Sequence, residues 1–94
     1  MTCGNILFSG HAVRKMFERG ISRDDVLAVI ATGEVIAHYP DDLPYPSALL
    51  LGLPDGKPVH AVIAQNPADG GCTVVTVYRP DPALWNTDFT TRRR

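Results

Sequence analysis

Gly33-Glu34-Val35-Ile36-Ala37-His38-Tyr39 is the stretch at which the period of this 94-residue chain changes. Before it, apolar residues recur at helical spacing; after it they alternate or run together, as in strands. Reading backward, Val26, Leu27, Val29 and Ile30 give a broad buried helix face. Ser22-Arg23-Asp24-Asp25 opens that helix: Ser22 and Asp25 can cap each other, and two acids sit at the positive end of the helix dipole. Ile21 and Val26 take the staple positions, and Gly33 is the expected left-handed terminator. Earlier still, His11 to Gly20 reads as a short amphipathic helix, with Ser9 as N-cap and Gly20 at its close. Val13, Met16, Phe17 and Gly20 make its apolar stripe. His11, Lys15 and Arg19 fall four apart on the opposite flank, with Arg14 and Glu18 beside them. Ile6-Leu7-Phe8 is either a single edge strand or only an anchor.

Reading forward, Glu34 to Tyr39 is a strand, followed by the rigid loop Pro40-Asp41-Asp42-Leu43-Pro44-Tyr45-Pro46. Ala48 to Leu53 is a continuous apolar run, as expected of a central strand covered on both faces. Leu53-Pro54-Asp55-Gly56 is a turn, Pro58 to Gln65 the returning strand, Asn66 to Gly71 a second turn, and Cys72 to Tyr78 a β-branched strand. Asp81-Pro82 starts a last helical turn carrying Leu84 and Trp85. The arginine tail, from about residue 90, is expected to fray. The expectation is therefore one α+β domain over 1–94, with two N-terminal helices packed on one face of a four-stranded antiparallel sheet.

The bulk numbers agree with one domain. A chain of this size buries roughly 60 to 68 per cent of its unfolded surface, enough for a two-layer fold. The net charge of −1 argues against strong non-specific binding to nucleic acid. Its distribution is uneven: Arg14, Lys15, Arg19 and Arg23 cluster early, and Arg92-Arg93-Arg94 end the chain, whereas the acids sit mainly in turns. Cys3 and Cys72 lie far apart and form no CxxC pattern, so unpaired thiols are expected, with neither a disulfide framework nor a zinc site. The start has no signal-peptide pattern, and no apolar run is long enough to span a bilayer. A soluble cytoplasmic chain with no membrane association is the expectation.

The basic flank of the first helix is the leading site. Arg14, Lys15 and Arg19 at helical spacing suit successive phosphates, and the adjacent His11 imidazole can titrate near neutrality. The same flank also reads as an ordinary solvated surface, with His11 merely helping to cap the first turn. His60 lies mid-strand and Tyr78 ends the next strand; if Ala64 pairs with Val74, the two face each other across the ladder. Such a pair could share a proton or frame a pocket, and a strand histidine is equally a half-buried residue with a hydrogen-bond partner. Arg79 and Arg92 to Arg94 could add phosphate contacts, and Trp85 reads as a plug over one end of the core. The three histidines lack ligand spacing, so no metal and no cofactor is expected. No Walker loop, GxSxG or Cys–His pattern is present.

Ser9-Gly10-His11-Ala12, Glu18-Arg19-Gly20-Ile21-Ser22, Gly33-Glu34-Val35-Ile36, Tyr39-Pro40-Asp41-Asp42, His60, Thr76-Val77-Tyr78-Arg79-Pro80-Asp81 and Trp85 occur in that order. This pattern resembles the bacterial domain-of-unknown-function family 4258 along nearly the whole chain. Lys15 stands where that family usually has arginine, which keeps the charge but loses the planar fork. The family is similar, more loosely, to the RelE/BrnT-like toxins, small α+β ribonucleases neutralised by an antitoxin. That resemblance implies metal-independent RNA cleavage by 2′-hydroxyl attack, on messenger RNA and conceivably at the ribosome. It implies an antitoxin-like partner and leaves room for an oligomer. His11 or His60 would be base or acid, with Lys15, Arg19 and Arg79 as charge stabilisers and Tyr78 as orienter. The alternative is a non-catalytic partner-binding module of the same fold.

Overall fold

The structure is a computed structural model, and it describes residues 1–93. The chain forms β1 (Ile6–Phe8), α1 (Gly10–Arg19), α2 (Arg23–Thr32), β2 (Glu34–Tyr39), β3 (Ser47–Gly52), a 3-10 turn (Pro54–Gly56), β4 (Val59–Gln65) and β5 (Cys72–Tyr78). The five strands make one sheet in the order β1-β5-β4-β3-β2. The expected four-stranded antiparallel sheet is thus corrected to a five-stranded mixed one, because β1 pairs parallel with β5. Three residues are too few for alternation to show in sequence. They still suffice here, because Ile6 and Phe8 pack against the core cluster while Leu7 points outward, 61% exposed. Backbone bonds from Cys72 N to Asn5 O (2.8 Å) and from Ser9 N to Val74 O (3.0 Å) extend the pairing at both ends.

The core gathers Val26, Val29 and Ile30 of α2 with Ala48, Leu50, Val59, Ala61, Ile63, Val74 and Val77 of the sheet. Every residue of β3 is buried, which accounts for its unbroken apolar run. Helix α2 has the expected reciprocal cap between Ser22 and Asp25. Gly33, by contrast, is not left-handed: it is extended at φ −73°. A side chain there would run into the Val29 and Leu51 carbonyls, so close backbone approach is what requires glycine. The left-handed terminator is Gly20, at φ 65°.

Helix α1 packs differently from the expectation. Ala12 is its buried residue and Met16 is partly buried, whereas Val13 is 53% and Phe17 90% exposed. The stripe read from spacing therefore splits: Met16 turns inward beside Ala12, while Val13 and Phe17 face outward. With so few apolar positions in the helix, the 3.6 period fits two stripes, and the small Ala12 takes the close approach to the sheet.

Two further expectations change. Cys3 and Cys72 are not free thiols; they form a disulfide across 69 residues of sequence, with Cα atoms 5.5 Å apart. The short β1 is what brings Cys3 beside the start of β5, and it could not be seen from cysteine spacing. The chain beyond about residue 90, expected to fray, is held through Arg93 by bonds from Arg93 N to Leu84 O (2.8 Å) and from Asn86 N to Thr91 O (2.8 Å). Arg94 lies outside the described residues. No helix among them is long and apolar enough to cross a membrane.

Candidate functional site

Helix α1 begins where β1 ends, and Ser9 ties that junction to β5. Its hydroxyl accepts from the Ala12 amide (3.0 Å) and donates to the Val75 carbonyl (2.9 Å). One turn on, the exposed His11 places Nε2 3.0 Å from the Thr76 hydroxyl. Because β1 pairs only with Cys72 to Val74, the stretch of β5 from Thr76 to Tyr78 has no strand on that side and is flanked by α1 instead. The His11 contact therefore brings the first turn of α1 to the open edge of β5. At the far end of this seam, Arg79 Nη2 donates to the Gly20 carbonyl (3.4 Å). Its Nη1 is buried with no hydrogen-bond partner among the described residues.

Thr76 and Tyr78 are two apart on one strand, so they share a face at roughly 7 Å spacing. The expected pairing of His60 with Tyr78 is present, by a different route from the one read in sequence. Ala64 pairs with Thr73, not Val74, and a bulge between Val62 and Ile63 leaves Val75 unpaired and restores the register. His60 is wholly buried. Its Nε2 lies 2.7 Å from the Phe89 carbonyl, which can only accept, so Nε2 carries the proton. Nδ1 then accepts from the Tyr78 hydroxyl at 3.2 Å. The ring meets Trp85 edge-on, with centroids 4.5 Å apart. Burial holds the His60 pKa below its usual 6.5, the Phe89 bond opposing this in part. Burial likewise raises that of Tyr78; nearby Tyr39 adds to the shift and Arg92 opposes it.

The candidate residues thus fall into two groups on adjoining parts of β5. His11 and Arg79 make contacts between α1 and β5, while Arg19 is exposed on the same helix and Lys15 makes an ion pair of 3.5 Å with Glu18. His60 lies under the C-terminal segment with Tyr78 bonded to it, and the two histidines bond to different partners. Arg14 stands exposed on α1. Arg92, whose guanidinium lies 5.6 Å from the Trp85 ring centre, joins the Tyr78 group. Thr76, Tyr39 and Phe89 also belong to these surroundings and were missed. Thr76 was legible as the residue two before Tyr78; the Phe89 carbonyl had no signal in the sequence at all. Surface hollows lie elsewhere, among them one of about 500 Å³ between α2 and β3 bordered by Thr32, Glu34 and Gly52. Among the described residues, no three His, Cys, Asp or Glu side chains are grouped to hold a metal ion.

An α+β domain with this seam also matches a family model. Residues 8–79 match the family described as domain of unknown function (DUF4258), and the chain belongs to that family. No curated protein and no solved structure matches the chain. His11, Lys15, Arg19, His60, Tyr78 and Arg79 all lie within the matched residues, and Trp85, Phe89 and Arg92 follow them.

Proposed function

We propose that the chain is a toxin-like, metal-independent endoribonuclease, related to the RelE/BrnT-like group, that holds an RNA strand along the seam between α1 and β5. The observation that carries the reading is the contact of His11 Nε2 with Thr76 (3.0 Å), which joins an exposed imidazole and a basic helix flank to the strand bearing Tyr78 and Arg79. Neutral His11 takes the proton of a ribose 2′-hydroxyl, and the 2′-oxygen forms its bond to phosphorus. The bond from phosphorus to the 5′-oxygen breaks, and that oxygen leaves with a proton returned by the imidazolium or by water. Arg19, Lys15 and Arg79 stabilise the charge gathering on the phosphorane oxygens. Tyr78 orients the strand from the neighbouring position, and Arg14 adds a phosphate contact. His60, buried with both nitrogens engaged, supports Tyr78.

The reading places the protein in the cytoplasm with an antitoxin-like partner. A reducing compartment works against the Cys3–Cys72 bond. The N-terminal arm keeps other tethers there: the Met1 ammonium to Ile30 O (2.9 Å), Gln65 Nε2 to Thr2 O (2.7 Å) and Gly4 N to Gly70 O (2.9 Å). Induced expression in a bacterial host tests the proposal. Growth arrest that His11→Ala or Arg19→Ala relieves supports it; free growth with the wild-type chain accumulating intact opposes it.

A second reading, a non-catalytic partner-binding module, is favoured by the outward side of α1. Phe17 and Val13 stand exposed one turn apart, an apolar pair that a partner groove could cover. Under this reading the product of the adjacent reading frame binds the chain and Phe17→Asp abolishes the complex, while His11→Ala leaves it intact.

A further inference from the structure

Residues 81–93 double back over the His60 side of the sheet as a strap that is bonded mainly to itself. Trp85 N donates to Asp81 O (3.0 Å), Asn86 N to Thr91 O (2.8 Å), Arg93 N to Leu84 O (2.8 Å) and Arg93 Nε to Pro82 O (2.7 Å). The Asp88 carboxylate accepts from the amides of Thr90 (3.0 Å) and Thr91 (3.3 Å). Among the described residues, one hydrogen bond joins this strap to the rest of the molecule, from His60 Nε2 to the Phe89 carbonyl. The Trp85 ring against His60 adds an apolar contact. Phe89, which supplies that carbonyl, is held at φ 57°, a left-handed conformation that a residue with a bulky side chain adopts only when its surroundings impose it.

The covered group is not an ordinary core residue. His60 faces away from Val59 and Ala61, which belong to the core cluster on the other side of β4. It pairs with Tyr78, and Tyr78 shares its strand face with Thr76, the residue that His11 contacts. With the strap lifted, the seam along α1 would continue without a break onto a second imidazole and a phenol.

We propose that residues 81–93 are an autoinhibitory latch: closed, they keep an RNA strand off His60; open, they lengthen the binding groove from the α1 seam past Tyr78 onto that imidazole. This rests on the RNA reading above and assigns the regulation of the same site. The His60–Phe89 bond is the catch, and the strain at Phe89 favours release once the bond breaks.

The test uses the full chain, its Asp88→Ala variant and its Trp85→Ala variant. Asp88 is exposed and shapes only the turn of the strap, so its removal loosens the latch without disturbing the core, whereas Trp85→Ala removes the ring contact. Latch opening is read as carbethoxylation of His60 by diethyl pyrocarbonate, located by mass spectrometry, with exposed His11 as the internal reference. Binding is read by fluorescence anisotropy with a 2′-O-methyl oligoribonucleotide, in which the attacking hydroxyl is blocked. In the wild type, His60 reacts far more slowly than His11. Both variants should raise the His60 rate and tighten oligonucleotide binding by roughly three- to tenfold, the scale of one aromatic contact. A raised rate with unchanged or weaker binding would overturn the proposal, as would a His60 rate that neither variant moves. The cleavable oligoribonucleotide separates the two readings. Tighter binding with no cleavage in any form sinks the ribonuclease and keeps the latch; cleavage with an unmoved His60 does the reverse.

Discussion

His60 has two hydrogen-bond partners and no exposed surface, so truncating it strands the Phe89 carbonyl and the Tyr78 hydroxyl and opens a void. His60→Ala should lower stability by about 2–4 kcal/mol, measured by urea denaturation, with Tyr78→Phe costing about 1 kcal/mol. The pH dependence follows from the same burial. The folded-state pKa of His60 lies below 6.5, so on acidification the unfolded chain takes up the proton first. The His60 contribution is complete above the unfolded value, and it is lost as pH falls from there through the lower folded one. The urea midpoint should therefore drop as the pH falls from about 7.5 to about 5, and His60→Gln should flatten the drop. A midpoint unchanged by acid in the wild type would mean that His60 is as free to ionise folded as unfolded. The facing of His60 and Tyr78 was legible from strand alternation, even though the register behind it was one residue out. What buries His60 was not, since a carbonyl acceptor can come from any residue that the chain happens to bring near.

At the scale of elements, the helices and β2 to β5 could be read because capping residues, turn residues and apolar period all agree there. The misreadings share a cause: they concern contacts distant in sequence. Nothing in Ile6-Leu7-Phe8 says that it pairs with Val74, and the disulfide follows from that pairing. Reducing the Cys3–Cys72 bond should lower stability by about 2–4 kcal/mol, chiefly by freeing the unfolded chain. The same loss should appear in Cys3→Ser, and reductant should have no further effect on that variant. If urea midpoints with and without dithiothreitol coincide in the wild type, the bond does not form or does not constrain the chain. Phe17 is the instructive residue of α1. Spacing grouped it with Val13 and Met16, but a helix leaning on the sheet through Ala12 cannot bury both stripes. That leaves an apolar pair outside, which is why Phe17→Asp separates a partner-binding role from catalysis.

At the scale of the whole molecule, the basic flank was legible as a cluster of charges on one helix, and its destination was not. The structure brings His11, at the head of that flank, to the unpaired edge of β5, where it meets Thr76. Arg79, which the sequence could place only at the end of a strand, reaches back to the carbonyl that closes α1. The central claim is that His11 acts on a phosphodiester held in this seam. Purified protein is incubated with a single-stranded oligoribonucleotide in the presence of a chelator, and the products are resolved by mass. The account predicts fragments ending in a 2′,3′-cyclic phosphate and a rate lowered roughly a hundredfold or more in His11→Ala. Equal rates for the two proteins, or an intact substrate with both, would contradict it.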